Sequence, residues 1–148
     1  MRIRRVTFLS KSGWCDSRRS CLLYTSTTAQ IDKIIYNYIV QQGAKPNFKG
    51  YGGFPGSACI SVNDTVIHGI PSKHIVLKEG DIVSIDTGAA VHGWNGDNAA
   101  TFACGSVSDR AQRIMDVTKE ALARGIAAAQ PGNRVGDIGA AVSYTHLS

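Results

Sequence analysis

Two aspartates pose the chemical question in this chain. Asp86 closes the run Gly80-Asp-Ile-Val-Ser-Ile-Asp86, and Asp97 ends Thr87-Gly-Ala-Ala-Val-His-Gly-Trp-Asn-Gly-Asp97. Residues 81–91 alternate and β-branch like a strand, residues 98–104 read as a second apolar strand, and His92 to Gly96 supply turn chemistry between them. The two carboxylates therefore belong to the two arms of one β-hairpin. A loop of two or four residues centred between Val91 and His92 would set them directly opposite each other, and a two-residue loop at His92-Gly93 would make them diagonal neighbours. A three-residue loop would send them to opposite faces.

Ionised carboxylates about 4 Å apart repel by roughly 4 kcal/mol at an effective dielectric of about 20, a cost that a proton, solvent or a cation must relieve. A divalent cation relieves it best. The plain structural alternative is that Asp97 caps a Gly-rich turn and Asp86 is solvated at a strand edge, since Asp is common beside turns. Asp86 argues against that alternative, because it lies inside an apolar strand pattern that disfavours Asp.

The elements that must position the pair can be read on either side of it. Ile31, Ile34, Ile35, Tyr38 and Ile39 recur at helical spacing, with Thr27 or Thr28 as N-cap and Gly43 as stop, so the spacing predicts an amphipathic helix. Ala58 to Val62, an Asn63-Asp64 turn and Val66 to Ile70 ended by Pro71 predict a hairpin. Past the acidic hairpin, Ser108 caps a helix whose Ala111, Ile114, Met115, Thr118, Ala121, Leu122 and Ile126 form one face, ending before Pro131-Gly132. Val135 to Val142 begins a third helix that stops at Ser143 without a cap. Residues 1–26 show no periodicity and are expected to be poorly ordered.

Length and composition bound the function classes. A chain of 148 residues makes one domain of ordinary size, burying roughly 70% of its unfolded surface. Nine Lys/Arg against two acids give residues 1–49 a charge of +7, whereas seven against nine give residues 50–148 a charge of −2. Arg2, Arg4, Arg5, Lys11, Arg18 and Arg19 could contact RNA or another anionic surface. Without aromatic interleaving or a nucleic-acid module, DNA is not an expected partner. Cys15, Cys21, Cys59 and Cys104 form no CxxC pair, so neither structural zinc nor a disulfide framework is indicated and a reducing cytosol fits. No apolar run reaches membrane-spanning length, and Phe8-Leu9 is too short for a signal-peptide core. The expectation is a soluble, cytoplasmic protein with no membrane partner.

Taken together, Gly50-Tyr-Gly-Gly-Phe-Pro-Gly-Ser-Ala-Cys-Ile-Ser-Val-Asn-Asp-Thr-Val-Ile-His-Gly-Ile-Pro71 and Gly80 to Asp86 resemble the type 1 methionine aminopeptidases. Gly96-Asp97, Thr101-Phe102, Val117-Thr-Lys-Glu-Ala-Leu122 and Pro131-Gly-Asn133 continue the likeness in order, so that it covers residues 27–142. The resemblance implies an α+β fold, half of a pita-bread architecture of antiparallel β-hairpins flanked by helices around a dinuclear metal centre. It also implies removal of the N-terminal methionine from nascent polypeptides, with two divalent ions, cobalt, manganese, iron or zinc, as cofactor. Peptides beginning with Met would be the substrates and the ribosome a further partner.

Carried over by position, Asp86 resembles the ligand that chelates one metal and Asp97 the carboxylate that bridges both. His68 resembles the histidine that hydrogen-bonds substrate near the scissile amide, and Tyr51, Phe54 and Cys59 the wall of the methionine side-chain pocket. Read without the resemblance, a His beside Gly on a strand is structural, and an aromatic or a free Cys fills a core. His74 and His92 match no ligand position.

The family completes its metal shell with a histidine and two glutamates from its second half. None has a counterpart here: after Val142 there is no Glu, and His146 lacks the Gly-His-Gly context. Cys21-Leu-Leu-Tyr-Thr-Ser26 and Ser143-Tyr-Thr-His-Leu-Ser148 resemble translated sequencing adaptor, so residues 1–26 and 143–148 are expected to be foreign to a partial catalytic domain at 27–142. The expectation is a truncated aminopeptidase that is inactive alone. The alternative is a non-catalytic pita-bread half that binds peptides or the ribosome.

Overall fold

The computed structural model describes residues 25–147. These fall into two compact units, one running to Val107 and one starting at Ser108. The segment expected to be disordered lies almost wholly outside the described residues.

In the first unit, helix α1 (Thr28–Gln41) starts at a capping box in which the Thr27 hydroxyl accepts from the Gln30 N–H and the Gln30 side chain accepts from the Thr27 N–H. Its end is a Schellman motif: Ala44 N–H reaches Ile39 O and Gly43 N–H reaches Val40 O, with Gly43 at φ 71°. Strand β1 (Lys45–Pro46) follows, then a 3-10 turn at Tyr51–Gly53, β2 (Ala58–Val62), β3 (Ile82–Val91) and β4 (Trp94–Ala103). All pairings are antiparallel. β3 is central, with β4 along one edge and β1 and β2 end to end along the other.

Period-two alternation divides the two faces of this sheet. Ala58, Ile60, Val83 and Ile85 point to one face, where they bury against Ile31, Ile35 and Ile39 of α1 together with Leu77 and Cys104. Cys59, Ser61, Ser84, Asp86, Asp97 and Thr101 occupy the other. The apolar core thus fixes which face carries the carboxylates, because a one-residue slip would bury them under α1. Asp32 of α1 locks the same arrangement by accepting from the Ser57 and Ala58 N–H groups at 2.6 and 2.9 Å.

The expected hairpin at 58–70 forms only its first arm. Asn63 turns the chain at φ 52°, but residues 66–70 are not a strand, and β2 takes β3 as its partner. His68 sits in the left-handed region at φ 57°, and Gly69 presses against β2 so closely that a Cβ there would lie 2.1 Å from Ile60 O. Neither conformation is compatible with a regular ladder.

The second unit is a helical hairpin. Helix α2 (Asp109–Ala128) is capped by Ser108, whose hydroxyl accepts from Ala111 N–H. It packs on α3 (Val135–Leu147) through Ala121 and Gly125, where a Cβ on Gly125 would approach Val142 Cγ2 to 2.9 Å. Ile114, Leu122 and Ile126 of the expected apolar face are exposed. The helix expected to end at Val142 continues to Leu147, with the Thr145 hydroxyl bonded back to Ala141 O at 2.8 Å.

Candidate metal centre

The hairpin turn decides how the aspartates meet. His92 and Gly93 take φ values of 50° and 82°, the double left-handed pattern of a type I′ turn. The strands pair from Val91↔Trp94 without interruption to Ile82↔Ala103, so β4 begins earlier than the expected 98–104. This is the diagonal arrangement: Asp86 is opposite Ala99, Asp97 is opposite Gly88, and both side chains share one face. The two carboxyl groups come close enough that one, once protonated, can donate to the other.

Their electrostatics follow from that closeness. Burial pushes the Asp86 carboxyl up, and the Asp97 charge and the hydrogen bond to it push further the same way, while the His68 imidazole pulls it back. Cys59 stands directly opposite Asp86 on β2. Its thiol is raised above the usual range by burial first, then by Asp86 and Asp97. Cys104, buried on the core side, is pushed up to about 11 by burial and by Asp81.

Of the six residues singled out from the sequence, Asp97 and His68 act on Asp86, and both aspartates act on Cys59. His68 lies in an exposed segment braced by Gly69, whose N–H donates to Ser61 Oγ at 3.1 Å and whose carbonyl accepts from Ile60 N–H at 2.8 Å. Tyr51 and Phe54 stand at the two ends of the 3-10 turn, where Phe54 N–H donates to Tyr51 O at 2.9 Å and Tyr51 is 82% exposed. His74 and His92 are exposed, as expected of residues outside the site.

Phe48, which no sequence motif singles out, links that turn to the strand opposite Asp97. Tyr51 N–H donates to Phe48 O at 3.0 Å, and the Phe48 ring lies on Gly88, where a Cβ would come within 2.8 Å of Phe48 Cε1. Gly88 is the residue opposite Asp97. A glycine inside a strand pattern is the signal that could have pointed to this close approach.

As donors, two carboxylates forced together suit a hard divalent cation, which would satisfy the charge that otherwise raises Asp86. They supply part of a shell. Among the described residues no group of three or more His, Cys, Asp or Glu is placed to hold a metal ion.

Comparison with known proteins gives the fold and this site a context. The profile of metallopeptidase family M24 matches residues 8–145. A methionine aminopeptidase of Clostridium acetobutylicum is 53% identical over 112 residues, covering 76% of this chain and 45% of the relative. Methionine aminopeptidase 1 of Bacillus subtilis is 47% identical over 116 residues, covering 78% and 46%. The crystal structure of methionine aminopeptidase from Rickettsia prowazekii superposes with a TM-score of 0.81 at 37% identity, covering 83% of this chain and 49% of that one. The α+β, half pita-bread architecture expected from the resemblance is the one found. This chain spans about half the length of the relatives it matches.

Proposed function

We propose a function from one premise: the chain belongs to metallopeptidase family M24. The whole protein removes N-terminal methionine from peptides, and this stretch supplies the carboxylate side of its metal centre and one wall of its substrate pocket. The observation that carries the reading is the diagonal Asp86–Asp97 pair on the face away from α1.

M24 proteins are metallopeptidases, and bound divalent ions would supply Lewis acidity toward a water and the scissile carbonyl. Asp86 and Asp97 would hold them, as two ions of cobalt, manganese, iron or zinc. His68, close enough to act on Asp86, hydrogen-bonds the substrate near its scissile amide. Cys59, Tyr51 and Phe54 face the methionine side chain, with Phe48 continuing the wall beside Asp97. The substrates are nascent chains in the cytoplasm, met at the ribosome.

Among the described residues no third ligand joins the two aspartates, and on this reading the 148-residue chain alone is expected not to turn over substrate. That same lack supports the second reading, a non-catalytic half that binds peptides or the ribosome. A chimera separates the two: residues 27–142 joined to the C-terminal portion of the Clostridium acetobutylicum relative should release methionine from a Met-Ala peptide and lose that activity in Asp97→Asn. A folded chimera that binds the peptide but never cleaves it would favour the binding module.

A further inference from the structure

The turn that carries Tyr51 is tied across the full width of β3. Asn47 donates its backbone N–H to Gly88 O at 2.9 Å, and its side-chain Nδ2 to Asn95 Oδ1 at 3.2 Å. Asn95 belongs to β4, whereas Asn47 follows β1 on the opposite edge of β3. Strands two apart in a sheet are separated by about 9–10 Å, so these side chains can meet only by reaching over β3. They reach over its smallest residues: Asn95 pairs with Ala90, and a Cβ on Gly88 would lie 3.3 Å from Asn47 Cβ.

Next in the chain after Asn47, the Phe48 ring lies on Gly88. The residue opposite Asp97 on β3 would ordinarily place its own side chain about 5 Å away, Cβ to Cβ. Gly88 has none, and Phe48 fills the space instead. The ring therefore takes the place directly across from Asp97, whereas the diagonal neighbour on the same face is Asp86. We infer that Asn47 and Asn95 are positioning residues, whose bond over β3 seats Phe48 beside Asp97 and turns that carboxylate toward Asp86. Neither Asn contacts a substrate; both act through Phe48.

The functional half of the test rests on the proposed cation role of the aspartates, and the structural half does not. In the metal-free 148-residue chain, Hα–Hβ scalar couplings should report a single χ1 rotamer for Asp97. Asn47→Ala, Asn95→Ala and the double variant should each average it to the same degree, with the amide spectrum of α1 unchanged. Manganese titration followed by electron paramagnetic resonance should show affinity falling about tenfold in each single variant, at the lower end of effects seen for outer-shell partners. The double variant should lose no more than either single, because one contact is removed. Unchanged Asp97 couplings in both single variants, or losses that add in the double, would overturn the inference. If the parent chain binds no manganese, the ligand role of the aspartates fails, and the couplings still decide the positioning claim.

Discussion

Asp97 faces Gly88 across the β3–β4 hairpin and stands diagonal to Asp86, so that the two carboxyl groups lie together on the sheet face opposite α1. Two acids so placed make the metal-free chain sensitive to pH. Asp86 has its carboxyl raised above the ordinary 3.8 by burial and by Asp97. For a group raised on folding, the stabilising contribution is present below the unfolded value and is lost as pH rises through the folded one. Asp86→Asn should therefore melt at a higher temperature than the parent at neutral pH, and the gap should close as pH falls below about 4. Parallel thermal melts from pH 3.5 to 7 measure it. A gap independent of pH would mean that the pair is not electrostatically coupled.

Cys59 reports the same field from the neighbouring strand. Burial, then Asp86 and Asp97, hold its thiol above the ordinary 9.0, so its thiolate fraction at neutral pH is small. Asp86→Asn or Asp97→Asn should shift the pH profile of iodoacetamide alkylation at Cys59 to lower pH. Site-resolved mass spectrometry distinguishes it from the other cysteines.

The segment that carries His68 depends on close contact with β2. Gly69→Ala would place a methyl 2.1 Å from Ile60 O and 2.6 Å from Ile60 C, backbone atoms that cannot yield without unzipping the strand. Chemical denaturation should show a loss of about 3 kcal/mol.

Asp32 anchors the start of β2 from α1. Asp32→Ala leaves the Ser57 and Ala58 N–H groups, now bonded at 2.6 and 2.9 Å, without that acceptor. An equilibrium unfolding experiment should find a cost of about 2–3 kcal/mol.

Much of this arrangement is legible in the sequence where the signal is local. The Ile spacing, an N-cap at Thr27 or Thr28, and Gly43 specify α1 to within a residue or two at each end, because caps and helical periodicity act over one or two turns. The Asp86–Asp97 pair is legible because strand parity leaves few registers, and the His92-Gly93 turn selects the diagonal one.

What the sequence hides is non-local. Val66 to Ile70 has the composition of a strand, yet the left-handed His68 and the close approach of Gly69 to Ile60, nine residues back, override it. The Asn47–Asn95 bond and the seat of Phe48 arise from the β1–β3 pairing, which no local pattern announces. Ser143 to Leu147, which read as an end without a cap, continues α3 because nothing in it breaks a helix already packed on α2.

The central claim is that Asp86 and Asp97 together hold a divalent cation, and manganese binding to the 148-residue chain tests it most directly. Electron paramagnetic resonance of free manganese should show a weakly bound ion in the parent that is lost in both Asp86→Asn and Asp97→Asn, while Asp81→Asn, whose carboxylate bonds Asn63 and the Lys78 N–H instead, leaves binding intact. Manganese binding that survives both substitutions at the hairpin would contradict the account.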